Sequence, residues 1–167
     1  MDGQYSNQIT PVLLATLEQS PYTPEQLAAM NDDVRATIEA QKAFCAQHPV
    51  TAVYRIAVAG CRTRDGGTGA EFNPAPDEGN KIQCADGKMR SVLTAGSLSL
   101  ISYPDGRTAR IVSSAGSQYR DVNGCGIALV GSRLDNGDVI ISTPQDACML
   151  VGREGVAQPP DFLSHAG

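Results

Sequence analysis

The chain has no tryptophan, and aromatic residues make up 5% of it. Its core must therefore be built from Val, Ile, Leu and Ala, and few side chains remain to stack on bases or sugars. It lacks a basic surplus as well: 13 Lys and Arg stand against 18 Asp and Glu, for a net charge of −5. That balance excludes a phosphate-tracking surface, because nucleic-acid affinity comes largely from clustered Lys and Arg, and no nucleic-acid partner is expected. No run approaches the ~18 apolar residues of a membrane span. The start, Met1-Asp-Gly-Gln-Tyr-Ser-Asn-Gln, has neither the basic nor the apolar part of a signal peptide. The expectation is a soluble chain, made in the cytoplasm, without a membrane anchor.

Paired metal-ligand motifs are missing too. The five cysteines, Cys45, Cys61, Cys84, Cys125 and Cys148, contain no two that are two to four residues apart, the usual spacing of structural zinc ligands. In a chain without an export signal they read as thiols or isolated metal ligands rather than a disulfide framework. Cys61, Cys84, Cys125 and Cys148 remain a candidate thiolate set against the alternative of buried free thiols. The gap of 23 residues recurs from Cys61 to Cys84 and from Cys125 to Cys148, but the intervening sequences barely align, which argues against a duplication. Of two histidines, His48 lies three residues after Cys45. The pair reads as a helix end, with Cys45 packing inward and His48 favoured by the helix dipole.

What is present is organised in four parts. Residues 1–21 read as an N-terminal arm, with Pro11 and Pro21 around Val12-Leu-Leu-Ala-Thr-Leu17. Residues 22–48 read as one amphipathic helix: Thr23, Pro24 and Gln26 supply an N-cap, a Pro at N1 and a capping-box partner. Leu27, Met30, Val34 and Ile38 then recur at helical spacing. Residues 50–151 form a β domain with a long loop at 66–80, rich in glycine, proline and acidic residues. Within it, short runs such as Ser91-Val-Leu-Thr, Ile127-Ala-Leu-Val and Asp138-Val-Ile-Ile-Ser alternate with Gly, Asn-Gly and Pro-Asp-Gly turns. Residues 152–167 read as a C-terminal tail that either packs through Phe162 and Leu163 alone or is mobile. The fold class is mainly β: a short-strand β-prism, or a small barrel or sandwich core, preceded by one amphipathic helix.

Catalytic constellations are weak. The glycine-rich passage after Ile56-Ala-Val-Ala-Gly60 lacks the Lys-Ser/Thr ending and following helix of a phosphate loop. Asp135-Asn-Gly-Asp138 reads as a type I′ hairpin turn rather than a cation loop. A hydrolase would have to assemble Asp65, Glu71 and Asp77 with Arg62 and Arg64 around the glycine loop, and no nucleophile and base can be named among them.

Three segments nevertheless resemble a known pattern. Ala95-Gly-Ser-Leu-Ser-Leu-Ile-Ser-Tyr-Pro-Asp-Gly-Arg-Thr-Ala-Arg-Ile-Val resembles one unit of the PAAR-repeat family, with Ala109-Arg110 at the family's Ala-Arg. Cys125-Gly-Ile-Ala-Leu-Val-Gly-Ser-Arg resembles the opening of another, and Val58-Ala-Gly-Cys-Arg-Thr-Arg-Asp-Gly-Gly-Thr resembles the family's His-Gly-Gly passage, with Asp65 where a metal-binding His belongs. Ser113-Ser114 replaces the Gly-Asp expected after Ala109-Arg110, and residues 70–83 look inserted.

The resemblance, over about residues 55–151, implies a spike tip of a contractile phage tail or type VI-like injection machine. Three β units would form a pointed prism on a trimeric spike, without catalysis. A Zn or Fe ion at the point, where the resemblance extends that far, would be held by Cys61, Asp65, Cys84 and Cys125. Arg62 and Arg64, with Leu27, Met30 and Val34 on the helix, are the expected partner-docking residues. The partners would be proteins of a large assembly, a trimeric spike or a baseplate, within a virion or injection-machine particle. Two alternatives stay open: a capsid or baseplate block whose arm wraps a neighbour, and a small metal- or ligand-binding β domain with hydrolase activity.

Overall fold

The computed structural model describes residues 4–18, 22–72, 80–96, 99–116, 125–158 and 162–163. The chain divides into two units, one holding residues 1–8, 53–150 and 158–167, the other residues 9–52 and 151–157.

The second unit carries the helices. α1 (Pro11–Glu18) begins with Pro at its first position, and Thr10 Oγ1 accepts from Leu13 N at 3.1 Å. α2 (Pro24–Ala29) has the expected capping box: Gln26 N donates to Thr23 Oγ1 at 3.1 Å and Thr23 N to Gln26 Oε1 at 2.9 Å. It is short. The single helix expected from Thr23 to His48 breaks at Met30, because Asn31 is itself an N-cap, taking Val34 N on Oδ1 at 2.8 Å and starting α3 (Asp32–Gln47). Arg35 then closes the joint by donating to the carbonyls of Leu27, Ala28 and Met30 at the helix end. Neither α2 nor α3 buries a residue.

β1 (Val50–Arg55) and β9 (Met149–Arg153) pair and contribute residues to both units. The remaining strands belong to the first unit, which is mainly β. They are β2 (Arg62–Thr63), β3 (Thr68–Gly69), β4 (Lys81–Gln83), β5 (Met89–Ser91), β6 (Leu100–Ser102), β7 (Thr108–Arg110) and β8 (Ile140–Ser142). β4 and β5 form their own hairpin, and the others an antiparallel sheet in the order β7-β6-β3-β2-β8.

At the centre stand three short, fully buried segments around Ala57, Leu93 and Ala128. Ala57 N donates to Ala128 O, Ala128 N to Leu93 O, and Leu93 N to Ala57 O, each at 2.9 Å. A second cycle runs the opposite way round, from donors two residues after these to acceptors two residues before them: Ala59 N to Ser91 O, Ala95 N to Gly126 O, and Val130 N to Arg55 O, at 2.8–2.9 Å. The bridges Ile56↔Leu129, Val58↔Val92 and Thr94↔Ile127 repeat the relation a third time. The unit is therefore an internal pseudo-threefold.

Each segment is followed at the same offset by a glycine in the left-handed region, Gly60, Gly96 and Gly131, and then by a hairpin. The three hairpins share one turn: a three-residue loop ending on Gly66, Gly106 or Gly137, with φ of 86–92°. The residue at the start of each turn, Thr63, Tyr103 or Leu134, pairs with the residue four positions on. That is a type I turn with a glycine bulge. It corrects the expected type I′ turn at Asn136-Gly137, which needs positive φ at both residues, whereas among the described residues the one non-glycine with positive φ is Leu163.

The hairpins pair with one another through β3–β6 and β2–β8, and the bridges Ile111↔Leu134 and Arg133↔Val139 carry pairing from β7 toward β8. The named strands do not close into a barrel. Alternate residues, Ile101, Tyr103, Ala109, Ile111, Leu134 and Ile140, turn inward onto Ala57, Leu93 and Ala128.

The ends are tied down as well. Tyr5 pairs with Thr143, and Asn7 Nδ2 donates to Val130 O at 2.7 Å, so Gln4–Asn7, inside the expected arm, pack on this chain's own β unit. Phe162 meets Tyr54 edge-on at 4.8 Å, and Leu163 N donates to Ser114 O at 2.7 Å. Of the expected 66–80 loop, Gly66–Gly69 is hairpin, and 73–79 lie outside the described residues.

Close packing at the hairpins leaves no room for a methyl group. A Cβ on Gly69 would lie 2.7 Å from Leu93 Cδ1 and 2.8 Å from Cys61 Sγ, both in the core. Gly69→Ala is therefore expected to cost about 2 kcal/mol, read as a lower urea midpoint with unchanged m-value. An unchanged midpoint would mean the three-hairpin core is looser than described.

Candidate functional site

The hairpin turns meet at a buried carboxylate. Asp138, with no exposed surface, follows the turn of the third hairpin. Its Oδ2 accepts from Tyr103 Oη of the second hairpin at 2.6 Å, and its Oδ1 from Asp65 N of the first at 3.2 Å and from Val139 N at 2.7 Å. The Thr63 hydroxyl also bonds to it. Asn136 Nδ2 completes the group by donating to Tyr103 Oη at 2.9 Å. One carboxylate thus holds all three turns.

Burial alone would raise the pKa of Asp138, but the bonds from Thr63, Tyr103, Val139 N and Asp65 N overcome it and leave the carboxyl below its ordinary range. Burial, with the carboxylate beside it, pushes the Tyr103 phenol up, against the lowering bond from Asn136. The two shifts agree: at neutral pH the phenol donates and the carboxylate accepts. Around this knot lie exposed charges: Arg64, whose Nη2 donates to Gly137 O at 3.1 Å, and Arg107, which stacks over the Tyr103 ring at 5.1 Å.

The expected metal set is not brought together. Among the described residues no three of His, Cys, Asp and Glu stand as a ligand group. Cys61 lies in the hydrophobic core, where desolvation pushes its thiol up to about 12 despite the backbone N–H of Gly69 and its own. A neutral thiol packed among Leu93 and Ala57 is a poor metal ligand. Asp65 sits exposed on a turn beside Arg64. Cys84 starts the β4–β5 turn, and its thiol is raised by burial against the lowering charge of Arg90. Cys125 and Cys148 are half-buried thiols elsewhere in the same unit.

The residues proposed for hydrolysis have structural partners. Both Glu71 carboxylate oxygens are held by Ser91, one by its backbone N at 3.0 Å and the other by its hydroxyl. Asp77 lies outside the described residues. In the helical unit, His48 Nδ1 contacts Glu154 O at 2.7 Å, with its ring 4.5 Å from Phe44.

The docking residues fall in both units. Leu27 and Met30 are half-buried, Val34 is 44% exposed, and Arg62 lines a cavity with Gly60, Asp86 and Arg90. Arg64 stands at the knot.

Sequence reasoning read Asp135-Asn-Gly-Asp138 as a hairpin turn, with no separate role for Asp138. The available signal was phase: Asp138 alternates in step with Ile140, so it points inward. Comparison with known proteins returned no matching family model, no matching curated protein and no matching solved structure.

Two outcomes follow. Asp138→Asn puts an amide where four donors converge, and it should lower stability at pH 7 by about 2 kcal/mol. Because the folded pKa of Asp138 is depressed, its stabilisation is present above about pH 4 and is lost as pH falls through the folded value. The difference in urea midpoint between the wild type and the D138N variant should therefore shrink below pH 4, and a pH-independent difference would sink the assignment. In Ellman titration at pH 8, exposed Cys45 should react at once. Cys61, with about one thiolate in ten thousand, should react only on unfolding, and prompt labelling of Cys61 would refute its core position.

Proposed function

We propose that this chain is a non-enzymatic structural component of a phage tail or contractile injection machine, a PAAR-like tip that caps a trimeric spike. The observation that carries the reading is the internal pseudo-threefold, in which the Ala57, Leu93 and Ala128 segments exchange hydrogen bonds in a cycle. A single chain with three near-equivalent hairpins can meet each subunit of a threefold partner with a similar surface, which a chain without that symmetry cannot do. The hairpin knot supports the same reading, since it joins the three turns through a carboxylate and leaves exposed Arg64, Asp105 and Arg107 around them.

Stiffness is the mechanical requirement of a tip. Here it comes from tight glycine turns and core side chains such as Ile101, Ile111 and Leu134 that are almost fully buried. The particle of a phage or injection machine is then the place of action. Arg62, Arg64 and the helical residues Leu27, Met30 and Val34 are the docking candidates.

Native mass spectrometry decides between this reading and a self-assembling building block. The chain alone should be a monomer, and one copy should bind three copies of the spike protein from its own particle. A homotrimer of this chain would overturn the proposal, because it would multiply the hairpins beyond the three equivalent surfaces that a threefold partner offers.

A further inference from the structure

The third hairpin turn contains a chemically reactive dipeptide. Asn136-Gly137 is one of two Asn-Gly pairs in the sequence, and the other, Asn123-Gly124, lies outside the described residues. In a free chain such a pair loses ammonia readily, because glycine has no Cβ to hinder its backbone nitrogen. Gly137 N attacks Asn136 Cγ, the Cγ–Nδ2 bond breaks, and NH₃ departs with the proton from Gly137 N. Water then opens the cyclic imide at either carbonyl, leaving aspartate or isoaspartate.

The fold engages every group that this reaction uses. Gly137 N donates to Leu134 O at 3.1 Å, Asn136 Oδ1 accepts from Asp138 N at 3.0 Å, and Asn136 Nδ2 donates to Tyr103 Oη at 2.9 Å. The first two bonds belong to the turn itself. The second hairpin has the same pair, Gly106 N to Tyr103 O at 3.0 Å and Arg107 N to Asp105 Oδ1 at 3.0 Å. The bond to Tyr103 is particular to Asn136, since the matching positions of the other two turns are the aspartates Asp65 and Asp105.

We propose that Asn136 is a spontaneous modification site that the knot holds shut, and that its deamidation loosens the knot. Tyr103 Oη gives its one hydrogen to Asp138, so it can accept from an amide but has nothing to donate to a second carboxylate. Conversion of Asn136 replaces a donor with an acceptor and adds a negative charge next to the buried Asp138. The isoaspartate product also inserts a methylene into the backbone of a tight turn. The change is permanent once ammonia has left.

The test incubates the whole chain at mildly alkaline pH and maps its peptides, separating Asn, Asp and isoAsp at each position. Asp105→Asn, a change at an exposed side chain, puts the same dipeptide in the second turn, with the same two turn bonds and no amide bond to Tyr103. Each folded-state rate is divided by the rate of that position in urea above the unfolding midpoint, which removes the effect of neighbouring residues. Asn136 should be the slower of the two by about tenfold, the factor that one hydrogen bond supplies. Equal ratios at the two positions, or a folded rate for Asn136 that matches its rate in urea, would overturn the holding role. Asn136→Asp reproduces the direct product, and it should lower the urea midpoint at neutral pH by more than Asp105→Asn does, or prevent folding. A midpoint equal to that of the wild type would overturn the loosening.

Discussion

The β unit depends on a closed cycle of backbone hydrogen bonds. Ala57, Leu93 and Ala128 are fully buried, so their N–H and C=O groups can be satisfied only by other parts of the chain. Each gives its N–H to one neighbour and its C=O to the other, and a second ring of bonds closes the opposite way round, from residues two positions after them to residues two positions before. With three segments the pairing has no free end. Everything outside follows from it, because each segment must then turn out of the centre through a left-handed glycine and return as a hairpin. Short strands of two or three residues suffice in such an arrangement, since no single strand has to hold the sheet.

The cycle fixes the hairpins at their base, and Asp138 fixes them at their turns. A buried carboxylate is costly unless it is fully bonded, and this one gathers donors from all three hairpins. Its lowered pKa and the raised pKa of Tyr103 are two views of the same geometry. Hydrogen bonds join the three turns, and Cys61 fills the core as an apolar group.

The mainly β class was legible in the sequence, because Gly and Asp-Gly turns between short apolar runs leave little room for helices after residue 50. The capping box at Thr23 was legible for the same local reason. The break at Asn31 was not read, although Asn31-Asp-Asp-Val34 carries its own cap, since the apolar spacing ran across it. The threefold repeat entered only through the resemblance, whose three stretches start at Val58, Ala95 and Cys125. The cysteine gaps pointed away from it, while Ile56-Ala-Val-Ala-Gly-Cys-Arg and Ile127-Ala-Leu-Val-Gly-Ser-Arg share one outline that Val92-Leu-Thr-Ala-Gly-Ser also follows. The Asp138 knot and the Arg62–Arg90 recess were beyond reach, because each depends on which hairpin lies beside which.

One chain folded three times can do what three identical chains cannot. A true trimer would set three copies of the same residue around its axis, and three buried carboxylates at the point would repel one another. Here the three hairpins offer Thr63, Tyr103 and Asp138, two hydroxyl donors and one acceptor, so the point is satisfied by difference rather than by likeness. The same freedom lets a single interval, between the first and second segments, carry the extra β4–β5 hairpin and the Arg90 recess. Approximate symmetry sets out the three hairpins, and the departures from it supply the knot and the recess.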